Sequence, residues 1–233
     1  MRKIILIRHG KASFGQTDYD HLSEMGKRQS IVTGQYFKKI NSQPAMIFAG
    51  ELKRQKQTAQ IVLSHAGINN MPIQCEYAFN EYDFTGIINT QLPSLIEDDP
   101  SMTNDINNSL MSDPIIFRRV FNKIMERWVS GKHDSSEIEN FEAFTNRVTL
   151  GIQAIVSNLE SNQMAMVFTS GGVMSIAMHL VLGLLPIKAL QLGWHIWNCS
   201  VTSFYFTNKE YQLETFNSAM HLEMESKDLL SYI

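Results

Sequence analysis

A chain of 233 residues, 44% hydrophobic and 18% charged, is long enough to bury a full core and reads as one sizeable domain over 1–233. Its net charge of -3 gives no reason to expect nucleic acid or an anionic membrane as partner, although a mildly acidic protein can hold a local cationic pocket. Cys75 and Cys199 lie far apart without metal-like spacing, and the apolar run Ile4 to Ile7 is too short for a signal core or a membrane span, so the expected location is the cytoplasm.

Short apolar runs alternate with longer helical patterns, which predicts a layered α/β domain. Residues 3 to 8 are the first expected strand. It delivers Arg8-His9-Gly10 at its carboxyl end, where open α/β sheets place their chemistry. Arginine brings a charged donor fork suited to a phosphoryl group, histidine a nucleophile or proton carrier, and glycine a backbone that lets a ligand come close. A helix is expected from Ser23, whose hydroxyl can cap it, toward Ile40. Ala45 to Ala49 reads as a strand, followed by a helix from about Leu52 to Ser64 and a third strand at Ile73 to Tyr77. From about 85 to 136 the chain is polar and Asn-rich, with one amphipathic stretch, Pro114 to Trp128. Such a helical insert is either a surface excursion packed by its own apolar face or a lid over an active site. Ala165 to Thr169 is a fourth strand that runs into Ser170-Gly171-Gly172 and an apolar helix, and Val201 to Phe206 with Tyr211 to Phe216 form a hairpin about Asn208-Lys209.

Several of these segments form one series of motifs. Arg8-His9-Gly10 is followed by Leu22-Ser23-x-x-Gly26-x-x-Gln29, Leu52-Lys53-Arg54-x-x-Gln57-Thr58-Ala59, Phe79-Asn80-Glu81-x-x-Phe84, Phe141 to Arg147 and Gly171-Gly172. In this order, over nearly the whole chain, they resemble the histidine phosphatase superfamily, also called phosphoglycerate mutase-like. The opening Arg8 to Phe14 with Tyr19-Asp20 resembles a bacterial sub-branch of it without a settled substrate. The resemblance implies a three-layer α/β/α sandwich with a mostly parallel sheet. It implies His9 as nucleophile forming a phosphohistidine, Arg8 and Arg54 gripping the phosphoryl oxygens, and Glu81 exchanging the proton with the leaving group and then with water. Asp83 is the alternative carboxylate beside Glu81. No cofactor or metal is called for, since the arginines supply the charge neutralisation and the seven histidines make no ligand-like cluster.

Two departures qualify that picture. Where the family usually has a second histidine before Gly-Gly, this chain has Ser170, a shorter and neutral donor that leaves open a direct bond to a phosphoryl oxygen, a bond through water, or none. The following helix still presents backbone N–H groups from Gly171 onward to an anion. Where many members have tryptophan and asparagine after the first motif, this chain has Phe14 and Gly15, and Ser13 or Gln16 are the candidates to compensate. His195 is a candidate at the pocket rim and His21 one near the first loop, while His179 lies too far along its helix. The expected activity is hydrolysis of small phosphomonoesters, with inorganic phosphate as product. The alternatives are a degenerate phosphate- or phosphopeptide-binding member and a mutase. Nothing in the chain fixes the oligomeric state.

Overall fold

The computed structural model describes residues 1–13, 20–103 and 113–232. In chain order the elements are β1 (Arg2–Arg8), α1 (Glu24–Lys39), β2 (Met46–Ala49), α2 (Lys53–Ala66), β3 (Gln74–Cys75), α3 (Phe84–Asp98), α4 (Pro114–Ser130), α5 (Phe141–Asn158), β4 (Met164–Thr169), α6 (Gly171–Leu182), α7 (Pro186–Gly193), β5 (Val201–Thr207), β6 (Glu210–Ser218) and α8 (Met220–Glu225). They divide into two compact units: Met1–Glu81 with Val148–Ile233, and Tyr82–Arg147.

The first unit is built on a six-stranded sheet in the order β3-β2-β4-β1-β5-β6. β1, β2, β3 and β4 run parallel, and β5 is antiparallel to both β1 and β6, so the sheet is mixed. Ile4, Ile5, Leu6 and Ile7 are all buried although successive residues face opposite sides, so both faces of β1 are covered. On one face Ile5 and Ile7 join Phe37 of α1, Val62 and Leu63 of α2, and Met166 and Phe168 of β4. Helix α6 is buried from Gly171 through Met178, as its uniformly apolar sequence requires. The hairpin turns where expected, with Asn208 at φ 51° and Lys209 at φ 67°, the paired left-handed residues of a two-residue turn matched to strand twist. The third strand is shorter than Ile73 to Tyr77. It is an exposed edge that pairs only at Gln74 and Cys75, after which the chain tightens into a 3-10 turn at Tyr77–Phe79.

Register matters more for the site than the layers do. Arg8 pairs with Thr169, and Ala49 with Phe168. The carboxyl ends of the three central strands therefore lie side by side, and the residues just beyond them converge at one edge of the sheet.

The second unit packs around Trp128, whose ring is fully buried against Tyr82, Phe141 and Phe144 and whose Nε1–H donates to the Glu139 carbonyl at 3.0 Å. Arg127 donates to Asp98 at 2.6 Å and to the Ser94 hydroxyl at 2.8 Å, tying α4 to α3. Among the described residues no helix is long and apolar enough to cross a membrane.

A half-buried histidine in the first unit sets an acid limit on stability. His221 stacks on Tyr36 with centroids 5.0 Å apart and lies 3.0 Å from the Thr33 hydroxyl, and burial pushes its pKa down to about 4. The unfolded ring binds a proton near its ordinary value of 6.5, so the unfolded state holds more protons between the two values and stability falls as pH drops through that window. The loss reaches at most about 3 kcal/mol. In urea denaturation at pH 7 and pH 4.5, His221→Phe is expected to remove most of that difference while keeping the stack.

Candidate active site

The loop after β1 is held by the motifs that follow it. The Ser23 hydroxyl caps α1 by accepting from Gly26 N–H at 3.1 Å and donates to the Lys11 carbonyl at 2.9 Å. Gln29 Oε1 accepts from Lys11 N–H at 2.8 Å, and the Thr58 hydroxyl accepts from Gly10 N–H at 3.0 Å. Gly10 and Gly26 make this approach possible: a Cβ on Gly10 would stand 2.5 Å from the Gly26 carbonyl oxygen, and one on Gly26 would stand 2.2 Å from that of Lys11. The missing side chain of Gly10 admits the first turn of α1.

His9 sits at the end of β1 and is buried. Its Nδ1 lies 2.8 Å from the Gly10 carbonyl, which can only accept, so Nδ1 carries the hydrogen and Nε2 keeps its lone pair. Arg54 Nε–H, from the first turn of α2, donates to that Nε2 at 3.2 Å. Burial, then the charges of Arg54 and Arg8, hold the His9 pKa well below 6.5, and the ring is neutral at physiological pH. Arg54 is itself oriented by Asp20, whose carboxylate accepts from Arg54 Nη1 at 2.6 Å and from Lys53 N–H at 2.8 Å.

Arg8 reaches the same region from β1. Its Nη1 donates to the carbonyls of Ile196 and, at 3.0 Å, Tyr232. A Cβ on Gly171 would lie 3.9 Å from Arg8 Nε, so the guanidinium stands at the N-terminus of α6. There the Gly172 N–H donates to Glu81 Oε2 at 3.0 Å. Sequence reasoning expected the N–H groups of this helix end to face an anion. One of them instead fixes Glu81. Asp83, the alternative carboxylate, caps α3 by accepting from Gly86 N–H at 2.9 Å. Ser170 is fully buried, and its hydroxyl accepts from Gln55 Nε2 at 2.8 Å.

The remaining candidates are dispersed. Ser13 is half-buried in the loop, with its N–H on the His21 carbonyl at 2.8 Å, and Gln16 lies outside the described residues. His195 is exposed, its ring 6.4 Å from that of Tyr232. His21 is held against Gln57, its Nδ1 2.7 Å from Gln57 Nε2, and His179 against the Leu184 carbonyl at 2.5 Å. Sequence reasoning missed the parts played by Asp20, Gln55 and Asn198. Asn198 Nδ2 donates to the His9 carbonyl at 3.1 Å, and its Oδ1 accepts from the Ser231 hydroxyl at 2.9 Å. Asp20 belongs to the Tyr19-Asp20 pair already noted and Gln55 follows Arg54, whereas Asn198 carries no local signal. Among the described residues no group of three or more His, Cys, Asp or Glu side chains is placed to hold a metal ion.

A neutral histidine beside Arg54 and within the field of Arg8, at the carboxyl edge of a largely parallel sheet and with a carboxylate at the adjoining helix end, has the groups that phosphoryl transfer uses. The chain belongs to the histidine phosphatase superfamily (branch 1), whose family model matches residues 4–116 and 115–219. No curated protein sequence matches it. Solved structures share the fold at low identity. A mycobacterial glucosyl-3-phosphoglycerate phosphatase in complex with inorganic phosphate is 18% identical, with a TM-score of 0.64 over 95% of this chain and 99% of its own. A phosphoserine phosphatase from Entamoeba histolytica in complex with 3-phosphoglyceric acid is 19% identical, with a TM-score of 0.65 over 95% of this chain and 100% of its own. A phosphoglycerate mutase from Bacillus anthracis is 15% identical, with a TM-score of 0.65 over 95% of each.

Proposed function

We propose that the protein is a phosphomonoester hydrolase that acts on small phosphorylated substrates through a phosphohistidine on His9, with no metal in the step. The observation that carries this reading is the His9 ring, whose Nδ1–H is committed to the Gly10 carbonyl and whose Nε2 lone pair faces Arg54. In the first displacement Nε2 bonds to phosphorus as the ester P–O bond breaks, and Glu81 gives its proton to the leaving oxygen. In the second, Glu81 takes a proton from water, the water oxygen bonds to phosphorus, the N–P bond breaks and inorganic phosphate leaves. Arg8 and Arg54 neutralise the charge on the equatorial oxygens throughout. A cytoplasmic location fits the two free thiols, Cys75 and Cys199.

The test is release of p-nitrophenol from p-nitrophenyl phosphate between pH 5 and 8 in the presence of a chelator. Turnover is expected, and it should persist as pH falls through 6.5 because His9 stays unprotonated there. Absence of turnover with retained phosphate binding would favour a second reading, a phosphate-binding member with little catalysis. The neutral Ser170 hydroxyl at the position of the second histidine is what supports that reading.

A further inference from the structure

Ser170 and His9 are neighbours by register. Thr169 pairs with Arg8 in the parallel ladder, and His9 N–H donates to the Thr169 carbonyl at 2.8 Å, so Ser170 stands beside His9 one residue beyond the last pair. The amide of Gln55 meets the Ser170 hydroxyl from the first turn of α2. Gln55 Nε2 donates one hydrogen to Ser170 Oγ at 2.8 Å and the other to the Phe79 carbonyl at 2.9 Å, while its Oε1 accepts from Leu52 N–H at 3.3 Å. Turning the amide over would set its oxygen against the Phe79 carbonyl, so its orientation is fixed. Both residues are fully buried. The sheet edge makes room for the amide at Gly50, where a Cβ would lie 1.9 Å from Gln55 Oε1.

A hydroxyl has one hydrogen and two lone pairs. Gln55 fills a lone pair of Ser170, and among the described residues no acceptor is placed to take the hydroxyl hydrogen. A buried O–H is costly to leave unmatched, so an acceptor beside His9 is what this hydrogen awaits. We propose that Gln55 is a positioning residue that fixes the Ser170 hydroxyl as a neutral donor to a phosphoryl oxygen, the pair taking over the task of the absent second histidine. A hydroxyl keeps its hydrogen across the working pH range, whereas an imidazolium donor is lost as pH rises through its pKa.

The experiment is a double-mutant cycle on Gln55→Leu and Ser170→Ala, reading both p-nitrophenyl phosphate turnover and inorganic phosphate affinity, with near-UV circular dichroism as the control for folding. Each single variant is expected to lower kcat by about 10- to 100-fold, a neutral donor being worth less than a full oxyanion-hole position. The double variant should be no slower than Ser170→Ala, because Gln55 acts through that hydroxyl. Multiplying losses would overturn the proposal, as would a Gln55→Leu protein with wild-type turnover and affinity. The turnover arm rests on the hydrolytic reading. Phosphate affinity does not, and the same coupling there would uphold the pair in a protein without catalysis. Gln55→Met, similar in length and without the amide, replaces the leucine variant if the latter loses its near-UV signal. A third variant reads pH: Gln55→Ala with Ser170→His clears space for a ring, and its turnover relative to wild type should fall as pH rises through about 6.5. A ratio independent of pH would contradict the donor role.

Discussion

Replacing His9 with alanine is expected to lower p-nitrophenyl phosphate turnover by at least about four orders of magnitude, the scale on which removal of a covalent nucleophile acts. Among the described residues the other candidate histidines are engaged by other groups. His195 is exposed beside Tyr232, His21 is held against Gln57, and His179 is bound at the far end of α6 to the Leu184 carbonyl. Phosphate binding should survive, because Arg8 and Arg54 remain. Arg8 is anchored by the Ile196 and Tyr232 carbonyls and Arg54 by Asp20, independently of the imidazole. A steady-state assay paired with phosphate titration separates the two effects: kcat collapses while phosphate affinity stays within about tenfold. Loss of both together would mean that the substitution had disturbed the loop and not only removed the nucleophile.

Arg54→Ala is expected to cost about a hundredfold to a thousandfold in kcat, the range for loss of one preorganised charge-stabilising group. It should also leave a second signature. Arg54 is the largest charge that lowers the His9 pKa, after burial. Without it the pKa moves up, more of the ring is protonated on the acid side of the profile, and less Nε2 lone pair is available there. The pH profile of kcat/KM should therefore acquire a steeper acid limb than the wild type, with turnover falling as pH drops. Arg54→Lys returns the charge without the donor fork. It should restore the flatter acid side while recovering only part of kcat.

Much of this site was legible in the sequence because its parts are local. An apolar run of four residues leading into Arg8-His9 reads as a strand that delivers both to its end, and Ser23 announced the start of α1 with its own capping oxygen. The Asn208-Lys209 turn was readable for the same reason. What was not legible depends on contacts between distant segments. Asp20 reaches Arg54 across 34 residues, Gln55 reaches Ser170 across 115, and Asn198 reaches His9 across 189. A glycine beside a histidine suggests ligand approach in sequence, and only the fold shows Gly26 pressed against Gly10. The end of α6 likewise holds a contact that the sequence does not show. Its N–H groups are a generic anion site in sequence, and the carboxylate of Glu81, brought in by the turn after β3, already takes one of them. The third strand was overestimated because β-branched and apolar residues near Ile73 predict pairing that an edge position with a single neighbour does not sustain.

The most direct test of a covalent route through His9 is to trap the phosphoenzyme. The protein is mixed with labelled phosphomonoester for a time short against one turnover and quenched in alkali, and the labelled peptide is mapped. The account predicts a phosphoryl group that is stable to alkali and labile to acid, on Nε2 of His9, absent from His9→Ala and released as inorganic phosphate when the native protein is left to turn over. A protein that hydrolyses the ester at full rate without ever carrying that label, or that carries it on another side chain, would contradict it.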